Sequence, residues 1–395
     1  MISVTEAKKI IQEQVSCLAP EMAAVQDAHG LVLAADVFAA TTVPGFPQSS
    51  MDGYAFKFDD WSPGKKIALS GIIAAGDNSR AMLQQGTAVR IFTGAAVPAG
   101  ADTVVMQEKT VIEQNELLIN DERLEKGMFV RPEGTEIKKG QLALSAGSLL
   151  TPGAIAFLVG IGITEVLVQP LPRVSIVVTG DELQEPGKPL QYGQVYEANS
   201  FALSAALRQL GIQQINVFKV KDDLALLTSV MKQAMQETDL LFLTGGISVG
   251  DFDFVLQASI DNGVEKLFHK IRQRPAKPLF FGRKDGVYVF GLPGNPASGL
   301  VSFYEYALPA IGNMCGRDCS LQTVEAPLEN PFKKPAGLTH FLKGWYNGIT
   351  VNVLDAQESY RLSSFAKANC LVQIEEDSTA HAAGALVETH LLPRF

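Results

Sequence analysis

The sequence of 395 residues has few cysteines and no compact cysteine cluster. The four cysteines, Cys17, Cys315, Cys319 and Cys370, are too few and too scattered for a disulfide framework. Cys315 and Cys319 have no second close pair that would complete a zinc site. We therefore expect plain buried or surface thiols.

Long apolar runs and an excess of basic residues are also absent. Apolar runs such as 174–178 and 240–243 fall far short of the roughly 20 residues that cross a bilayer. The first ten residues read as a Ser or Thr cap before an amphipathic helix rather than a secretory signal. A net charge of −9 counts against a nucleic-acid binder. We expect a cytoplasmic protein that binds neither membrane nor nucleic acid, in which an anionic ligand needs locally concentrated donors.

What the chain does contain is enough apolar sequence for several cores. Hydrophobic residues make up 47% and charged residues 19%, which argues against extended disorder, and the length exceeds what one core usually organises. Helical spacing at 3–16, 21–37 and 151–159 surrounds a stretch of short β-like runs and glycine-rich turns at 54–142. This pattern predicts a β domain inserted into a helical one.

After Pro170 and Pro172 the sequence pattern changes to a regular alternation of predicted strands and helices. Strands are predicted at 174–178, 215–220, 240–243 and 287–290, and helices at 199–210, 224–235 and 297–310. We expect Asn199 or Ser200 to cap the first of these helices. Such alternation favours a mostly parallel sheet covered by helices on both faces, a doubly wound α/β domain. Short strands and turns return from about residue 323, which predicts a C-terminal, barrel-like β domain.

The expected organisation is therefore multi-domain α/β. The predicted domains are an N-terminal helical and linker domain at 1–46 and 143–171, an inserted mainly-β domain at 47–142, the α/β domain at 172–318 and a C-terminal β domain at 319–395.

Four polar loops follow apolar strands of the α/β domain, and the carboxyl ends of parallel strands lie on one edge of a sheet, where ligands bind. We therefore expect the loops to converge. They span 179–182, 221–223, 244–253 and 292–298.

The third loop is suited to an oxyanion such as phosphate. Its glycines, Gly245, Gly246 and Gly250, allow close approach of backbone amides, and Thr244 and Ser248 add hydroxyl donors. An ordinary strand-to-helix turn is the alternative.

Carboxylates crowd the same loops and would repel a phosphate. Mg²⁺ resolves the conflict because it accepts carboxylate and phosphate oxygens together. The candidates are Asp181, Glu182, Asp222, Asp223, Asp251 and Asp253. Helix capping is the alternative role, and we expect it for one of Asp222 and Asp223, which just precede a helix.

Cations are concentrated in one segment. Arg272, Arg274 and Lys277 lie within six residues beside two prolines. The segment taken alone favours a solvated basic loop, but in a chain of net charge −9 such a cluster indicates contact with an anion. The segment Pro293-Gly-Asn-Pro296 leads into a helix whose N-terminus exposes free amides, a second anion site.

These motifs resemble a known family. Thr179-Gly-Asp-Glu-Leu183, Thr244-Gly-Gly-Ile-Ser-Val-Gly-Asp251, Lys277-Pro278 and Leu292-Pro-Gly-Asn-Pro-Ala-Ser298 together resemble the molybdopterin-binding domain of the MoeA and gephyrin C-terminal-domain family. Ser49-Ser-Met-Asp-Gly-Tyr-Ala55 resembles the family's N-terminal signature. The similarity runs over essentially the whole chain.

The resemblance implies an activity and an assembly. The activity is Mg²⁺-dependent conversion of adenylylated molybdopterin and molybdate into molybdenum cofactor and AMP. The assembly is an elongated homodimer with a MogA-like central domain, whose cleft lies between the α/β domain of one subunit and the N-terminal half of the other. A molybdopterin adenylyltransferase and molybdoenzyme chaperones are the implied protein partners.

The resemblance also implies site residues. It gives Asp52, Glu182, Asp253 and Lys277 catalytic roles, and makes Glu182, Asp222 and Asp253 metal ligands. Motifs and resemblance together give a substrate-binding set of Thr93, Glu136, Thr179, Gly180, Asp222, Asp223, Thr244, Gly245, Gly246, Ser248, Gly250, Arg274, Pro293, Gly294, Asn295, Pro296 and Ser298.

Two positions depart from the family's pattern. Glu136 stands where the family carries Asp, so its carboxylate is one methylene longer. Arg274 replaces a lysine, which keeps the charge but substitutes a planar fork for a point donor.

Two other functions compete with this one. A CinA-like nucleotide pyrophosphatase would share the α/β motifs, and a gephyrin-like scaffold would bind peptides without catalysis. The convergent carboxylates have no use in a scaffold.

Overall fold

The computed structural model describes residues 1–77, 82–246 and 254–393. The chain forms two compact units. The smaller unit comprises 22–29 and 33–168, and the larger comprises 1–21, 30–32 and 169–395.

The smaller unit is built around a six-stranded sheet, which confirms the predicted β domain. Its strands lie in the spatial order Thr103–Met106, Gly53–Phe56, Thr87–Ile91, Ile67–Ile73, Glu116–Ile119 and Thr110–Glu113. Alternate residues of the strand Gly53–Phe56 enter different cores, since Tyr54 and Phe56 join one cluster and Ala55 the other. The sheet is therefore packed on both faces.

Smaller elements complete this unit. They are the strand pairs Gln48–Ser49 with Val130–Arg131 and Val37–Phe38 with Leu142–Leu144, the 3₁₀ turns Val25–Asp27, Phe58–Asp60 and Gln107–Lys109, and the helix Pro152–Gly160. That helix was predicted, and the Thr151 side chain caps it by accepting a hydrogen bond from the amide of Ala154.

The predicted helix at 21–37 is wrong. Strands Glu21–Ala24 and Val32–Leu33 lie on either side of the strand Glu165–Gln169 in a three-stranded sheet. Gly30, at φ +79°, turns the chain between the first two strands. The apolar residues are buried as expected, but their spacing imitated a helix because both strands are too short to show a period of two.

The larger unit contains the α/β domain. Its strands are β1 (Val174–Thr179), β2 (Ile215–Val220), β3 (Leu240–Thr244), β4 (Glu265–Lys270), β5 (Pro278–Lys284) and β6 (Val287–Leu292). The spatial order is β2-β1-β3-β6-β5-β4; the first four are parallel, and β5 and β4 run antiparallel to their neighbours. The four predicted strands are confirmed, whereas β4 and β5 were missed.

Helices cover both faces of this sheet. They are α1 (Val4–Gln14), α2 (Asn199–Gln209), α3 (Leu224–Gln236), α4 (Phe254–Asp261), α5 (Pro296–Ser302) and α6 (Leu308–Met314), with a π-helical turn, Phe303–Ala307, joining α5 to α6. Ile176 and Phe242 pack with α1, α2 and α6, whereas Val177 and Leu241 pack with α3 and α4. The doubly wound arrangement is confirmed.

The C-terminal part of the larger unit is β-structured, as expected. One sheet has the order Gln273–Arg274, Thr339–Tyr346, Cys370–Ile374, Leu386–Leu391 and Gln322–Pro327, with Val351–Val353 beside Thr339–Tyr346. Three smaller pieces accompany it: the strand pair Phe332–Lys333 and Ala380–His381, the parallel pair Leu183–Gln184 and Val195–Tyr196, and the helix α7 (Leu362–Phe365). Among the described residues, no helix has the length and apolar character that crossing a membrane requires.

Candidate functional site

A cavity of about 930 Å³ opens where the parallel strands end. All four predicted loops contribute to it, so their expected convergence is confirmed. Its lining comprises Thr179, Asp181, Glu182, Leu183, Val195, Tyr196, Ala198, Asn199, Asp222, Gly246, Phe254, Gly294, Asn295, Pro296 and Tyr360.

Backbone contact between the loops leaves no space for a side chain at Gly245. Its φ is +87°, and a Cβ there would lie 2.2 Å from the carbonyl oxygen of Thr179. On its other side, a Cβ on Gly294 would lie 3.4 Å from the Cα of Gly245. The loops after β1, β3 and β6 therefore meet at backbone distance, which places their peptide groups around one small region.

Two buried hydroxyls lie beside these glycines. Thr179 is 4% exposed and Thr244 is 1% exposed, and neither Oγ1 has a hydrogen-bond partner among the described residues. A Cβ on Gly246 would lie 3.2 Å from the Thr179 hydroxyl. An unsatisfied buried hydroxyl costs about 1–3 kcal/mol, and Thr179 lines the cavity, where a polar ligand would satisfy it. Thr244 and Gly245 directly precede the lining residue Gly246 in sequence but are not part of the lining themselves. Ser248 and Gly250 lie outside the described residues.

The carboxylates divide into two kinds. Asp181 and Asp222 line the cavity, and Asp181 Oδ1 accepts a hydrogen bond from the amide of Asp222 at 3.4 Å. Asp223 instead caps α3, accepting from the amide of Leu226 at 2.8 Å. The expected capping role is thus confirmed for Asp223, and the side chain of Asp222 remains for the cavity.

The acidic lining contributes carboxylates but no complete metal site among the described residues. Within the described parts of the chain, no group of three or more His, Cys, Asp or Glu is placed to bind a metal ion. Mg²⁺ characteristically uses one or two carboxylates together with substrate phosphates and water. Of the carboxylates predicted to bind metal, Glu182 and Asp222 both line the cavity. Asp251 and Asp253 lie outside the described residues.

The start of α2 differs from its prediction and adds a site residue. Neither Asn199 nor Ser200 caps the helix; the buried Glu197 carboxylate accepts from the amide of Ser200 at 2.8 Å instead. This frees Asn199, whose Nδ2 donates to the carbonyl of Gly294 at 2.9 Å. Asn199 therefore fixes the loop after β6, a role that depends on a contact 95 residues away in sequence.

The loop after β6 presents only part of its predicted set. Gly294, Asn295 and Pro296 line the cavity, and Asn295 Nδ2 donates to Ser359 Oγ at 3.0 Å. Pro293 and Ser298 are buried and lie outside the lining. Tyr196 and Tyr360, which also line the cavity, carried no signal in the sequence.

The cationic segment lies at the same sheet edge but outside the cavity wall. Lys277 immediately precedes β5, in which Phe280 pairs with Gly291 near the end of β6. Lys277 and Arg274 are both exposed, and neither lines the cavity of the converging loops.

Arg274 lines a neighbouring cavity of about 830 Å³. Lys333, Lys334 and His340 share that lining. Burial, reinforced by the positive charges of Lys334 and Arg274, lowers the pKa of His340 to about 4. The lining of this second cavity therefore combines these cations with the carboxylates Asp355 and Glu358.

In the smaller unit, Asp52 and Thr93 form one cluster. The Thr93 amide and hydroxyl each donate to Asp52 Oδ1 at 2.8 Å. These bonds, the amide's first, hold the pKa of Asp52 below its ordinary value, and the charge of Arg90 acts in the same direction. Arg90 lies over the rings of Tyr54 and Phe92, at 5.0 and 5.1 Å, an arrangement that sequence reasoning missed.

Gly53, in the segment 49–55, allows its strand to lie very close to the adjacent strand that contains Val105. A Cβ at Gly53 would lie 1.8 Å from the carbonyl oxygen of Val105 on the adjacent strand. Only glycine lets the two strands approach so closely, and Asp52 is positioned directly before this contact.

Glu136 lies on a neighbouring loop. It is exposed, and its amide donates to the carbonyl of Val43 at 3.0 Å. The preceding strand Val130–Arg131 pairs with Gln48–Ser49, and Ser49 also exchanges backbone hydrogen bonds with Gly94 and Ala95. The loops bearing Asp52, Thr93 and Glu136 therefore extend from one backbone framework.

A doubly wound domain with these loops, a β domain bearing the Asp52 signature and a C-terminal β domain define a modular, multi-domain α/β protein with a ligand site at the edge of its parallel sheet. Three family models match the chain in order: the MoeA N-terminal region (domain I and II) at 2–162, the probable molybdopterin binding domain at 175–313, and the MoeA C-terminal region (domain IV) at 325–392. The chain belongs to the MoeA family.

Individual proteins support this assignment over the full length. The chain is 32% identical to a molybdopterin molybdenumtransferase of Haemophilus influenzae, covering 98% of each protein. It is 33% identical to the enzyme of that name from Staphylococcus aureus, covering 98% of this chain and 94% of the relative. A crystal structure of the molybdopterin biosynthesis MoeA protein from Pyrococcus horikoshii superimposes with a TM-score of 0.85 at 28% identity, covering both chains completely.

Proposed function

We propose that the chain is a molybdopterin molybdenumtransferase that inserts molybdate into adenylylated molybdopterin and releases AMP. The observation that carries the proposal is the convergence of four loops on one cavity, with glycine backbone, buried hydroxyls and carboxylates together. The names of the relatives, which match along nearly their whole length, support the pterin and the transfer of molybdenum.

The phosphate-binding part of the proposal rests on Gly245 and its neighbours. The amides of Gly245 and Gly246, with the hydroxyls of Thr179 and Thr244, are the donors for the pyrophosphate of the substrate. These hydroxyls are already desolvated, so a phosphate oxygen would gain hydrogen bonds without displacing competing partners.

The acidic part would hold the metal. Glu182 and Asp222 would share Mg²⁺ with the substrate phosphates, and Asp253 stays in the proposed ligand set. Bound Mg²⁺ supplies positive charge that offsets the developing charge on phosphorus oxygens. Lys277, assisted by Arg274, would contribute at the same sheet edge.

The chemical step cleaves the phosphoanhydride. An oxygen of water or molybdate attacks the adenylyl phosphorus, the P–O bond to the pterin phosphate breaks, and the attacking oxygen leaves as part of AMP. The two dithiolene sulfurs replace oxygen ligands of molybdenum, which depart as water or, after attack by molybdate, with the AMP. No cysteine or serine nucleophile is needed, because the substrate supplies the sulfur ligands.

The assembly proposed is a homodimer. Asp52, Thr93 and Glu136 of one subunit would face the α/β cavity of the partner. The ionised state of Asp52, favoured by its lowered pKa, suits contact with a donor or cation there. The proposal places the reaction in the cytoplasm, between a molybdopterin adenylyltransferase and molybdoenzyme chaperones.

The test is incubation of purified protein with adenylylated molybdopterin, Mg²⁺ and molybdate, with AMP and reconstituted molybdoenzyme measured. Two neighbouring substitutions provide a matched comparison. Asp222→Asn removes a charge from the cavity and should slow AMP release by at least about tenfold, since even outer-shell partners of a metal contribute that much. Asp223→Asn keeps a good helix cap and should leave the rate near wild type.

Two outcomes would contradict the proposal. Cleavage of a simple dinucleotide, with none of the adenylylated pterin, would indicate a CinA-like pyrophosphatase. Peptide binding with no AMP release under any of these conditions would indicate a scaffold.

A further inference from the structure

The π-helical turn Phe303–Ala307 presents two adjacent buried polar side chains to different parts of the larger unit. Glu305 is 2% exposed and binds Lys8 of α1 and His390 of the C-terminal sheet, each at 2.7 Å. Tyr306 is fully buried, and its hydroxyl donates to Oε1 of Gln273. Isolated π turns in helices often occur at functional sites, and here the turn connects α1 and the C-terminal sheet with the loop that contains Gln273.

Gln273 belongs to the loop that carries the cations. It is itself fully buried, and its Nε2 donates to the carbonyl of Ala276 at 3.2 Å. Ala276 has φ +63°, a left-handed conformation that is costly for a non-glycine residue and persists only where its surroundings enforce it. The Gln273 side chain therefore spans the loop from inside and supports its least favourable residue.

Backbone bonds close the same loop at its base and side. The amide of Ile271 donates to the carbonyl of Lys277, and the amide of Thr339 donates to the carbonyl of Arg272, both at 3.0 Å. Arg274 and Lys277 are the two fully exposed residues of this loop, while Arg272 is half-buried and paired with Glu376. Exposed cations are thus displayed from a loop whose backbone is fixed on three sides.

We propose that Tyr306 is a positioning residue for the reaction, which through Gln273 holds the loop 271–278 in the conformation that presents Arg274 and Lys277 to the substrate. The inference rests on the proposed function, in which those cations offset substrate charge. Burial raises the pKa of Tyr306 well above its ordinary value, so the hydroxyl keeps the proton that it donates.

The physical reason is preorganisation. A cation fixed before binding loses less conformational freedom on meeting an anion than one on a mobile loop, and small misplacements of such groups are costly to catalysis. The Glu305 network holds the other side of the turn, so the Tyr306 hydroxyl has little freedom to move away from Gln273.

The experiment compares Tyr306→Phe with Tyr304→Phe in the full-length protein. Both remove one hydroxyl from the same turn, but Tyr304 stacks on Phe365 at 6.3 Å between ring centroids rather than bonding to the loop. We expect Tyr306→Phe to raise deuterium exchange in the peptide 271–278 and to lower kcat/KM for AMP release roughly tenfold, the effect of losing a buried hydrogen-bond partner. Tyr304→Phe should leave both near wild type.

Gln273→Met tests the pair from the other side and replaces the Tyr306 variant if that one folds poorly. If the two residues act as one unit, the double variant Tyr306→Phe, Gln273→Met loses no more activity than Gln273→Met alone. Independent, multiplying losses would overturn the proposal.

Further results would overturn it as well. One is deuterium exchange of the peptide 271–278 that is unchanged in Tyr306→Phe. Another is faster exchange in Tyr306→Phe with unchanged kcat/KM, and a third is a loss of kcat/KM in Tyr304→Phe equal to that in Tyr306→Phe. If the wild-type protein releases no AMP, the proposed function fails and the positioning role fails with it, whereas altered exchange would still show that Tyr306 holds the loop.

Discussion

Gly245→Ala tests whether the loops of the α/β domain need a glycine for close backbone approach. Two separate costs apply at this position. An alanine at φ +87° costs about 1–2 kcal/mol through its backbone conformation alone. Its Cβ would also lie 2.2 Å from the Thr179 carbonyl oxygen, where side-chain carbons almost never come within 3.0 Å.

The second cost is harder to relieve than the first. The Thr179 oxygen would have to retreat by about 0.8 Å, and Thr179 ends a strand that is paired on both sides. Overpacking of this kind typically costs about 1–3 kcal/mol, so we expect the free energy of unfolding of the larger unit to fall by about 2–5 kcal/mol. A displacement near 1 Å at a binding loop can also slow catalysis by roughly 100-fold.

The assay is urea unfolding followed by far-UV circular dichroism, combined with AMP release at a temperature where both proteins are folded. Gly187→Ala is the control, because Gly187 has φ +88° and open space within 4 Å of its Cβ position. It isolates the conformational cost. Equal destabilisation by the two substitutions would refute the argument from backbone contact, and normal AMP release in Gly245→Ala would remove this loop from the site.

Three further predictions concern charged groups. Thr93→Val should raise the pKa of Asp52 toward its ordinary value, because the hydroxyl bond is lost while the amide bond remains; an NMR titration in which that pKa stays put would contradict the assigned contact. Hydrogen bonds and charge from Glu305 outweigh burial and raise the pKa of His390 above 6.5, so its stabilisation is complete below that pH and disappears as pH rises through the folded-state pKa. Burial opposes ionisation of Glu305, but bonding to His390 and the charge of Lys8 hold its pKa below 4.5, so its stabilisation is lost as pH falls below that value. The stabilisation from this network, and with it the Tm, should therefore be greatest between about pH 4.5 and 6.5. His390→Asn should abolish the network's part of the fall in Tm at higher pH. Finally, the proposed homodimer with a shared site can be tested by co-expressing Asp52→Ala and Glu182→Ala subunits, each of which we expect to be inactive alone. Random pairing would make half of the dimers mixed, each with one intact site, so the mixture should recover about a quarter of wild-type activity. No recovery would show that the site is not shared.

The fold was predictable where the composition of a segment by itself indicates how deeply that segment is buried. The segments 174–178 and 240–243 are apolar apart from Ser175 because both faces of the central strands are buried, and both were identified as strands. The convergence of the loops followed from topology, since parallel strands end at one edge whatever their sequence.

Prediction failed where a distant partner decides the structure. Strands β4 and β5 have mixed polarity because they lie at the antiparallel side of the sheet, and the short strands at 21–33 depend on pairing with 165–169. The same holds in the site. Asn199 read as a helix cap, but its amide is used by Gly294, and Arg90 gave no signal until the sheet placed it over Tyr54 and Phe92.

The charge distribution leads to a requirement for metal before phosphate. A chain with net charge −9 cannot attract an anion through its overall field, and the cavity itself presents Asp181, Glu182 and Asp222. The exposed cations Arg274 and Lys277 lie outside its wall and form no ion pair with these carboxylates among the described residues. We therefore expect AMP to bind the purified protein weakly in EDTA and at least about tenfold more tightly with Mg²⁺, measured by calorimetry. Asp222→Asn should reduce this Mg²⁺ dependence by removing one of the opposing charges, whereas Asp223→Asn should preserve it. Equal affinity with and without Mg²⁺ in the wild-type protein would show that the hydroxyls and amides suffice, and that the carboxylates serve another purpose.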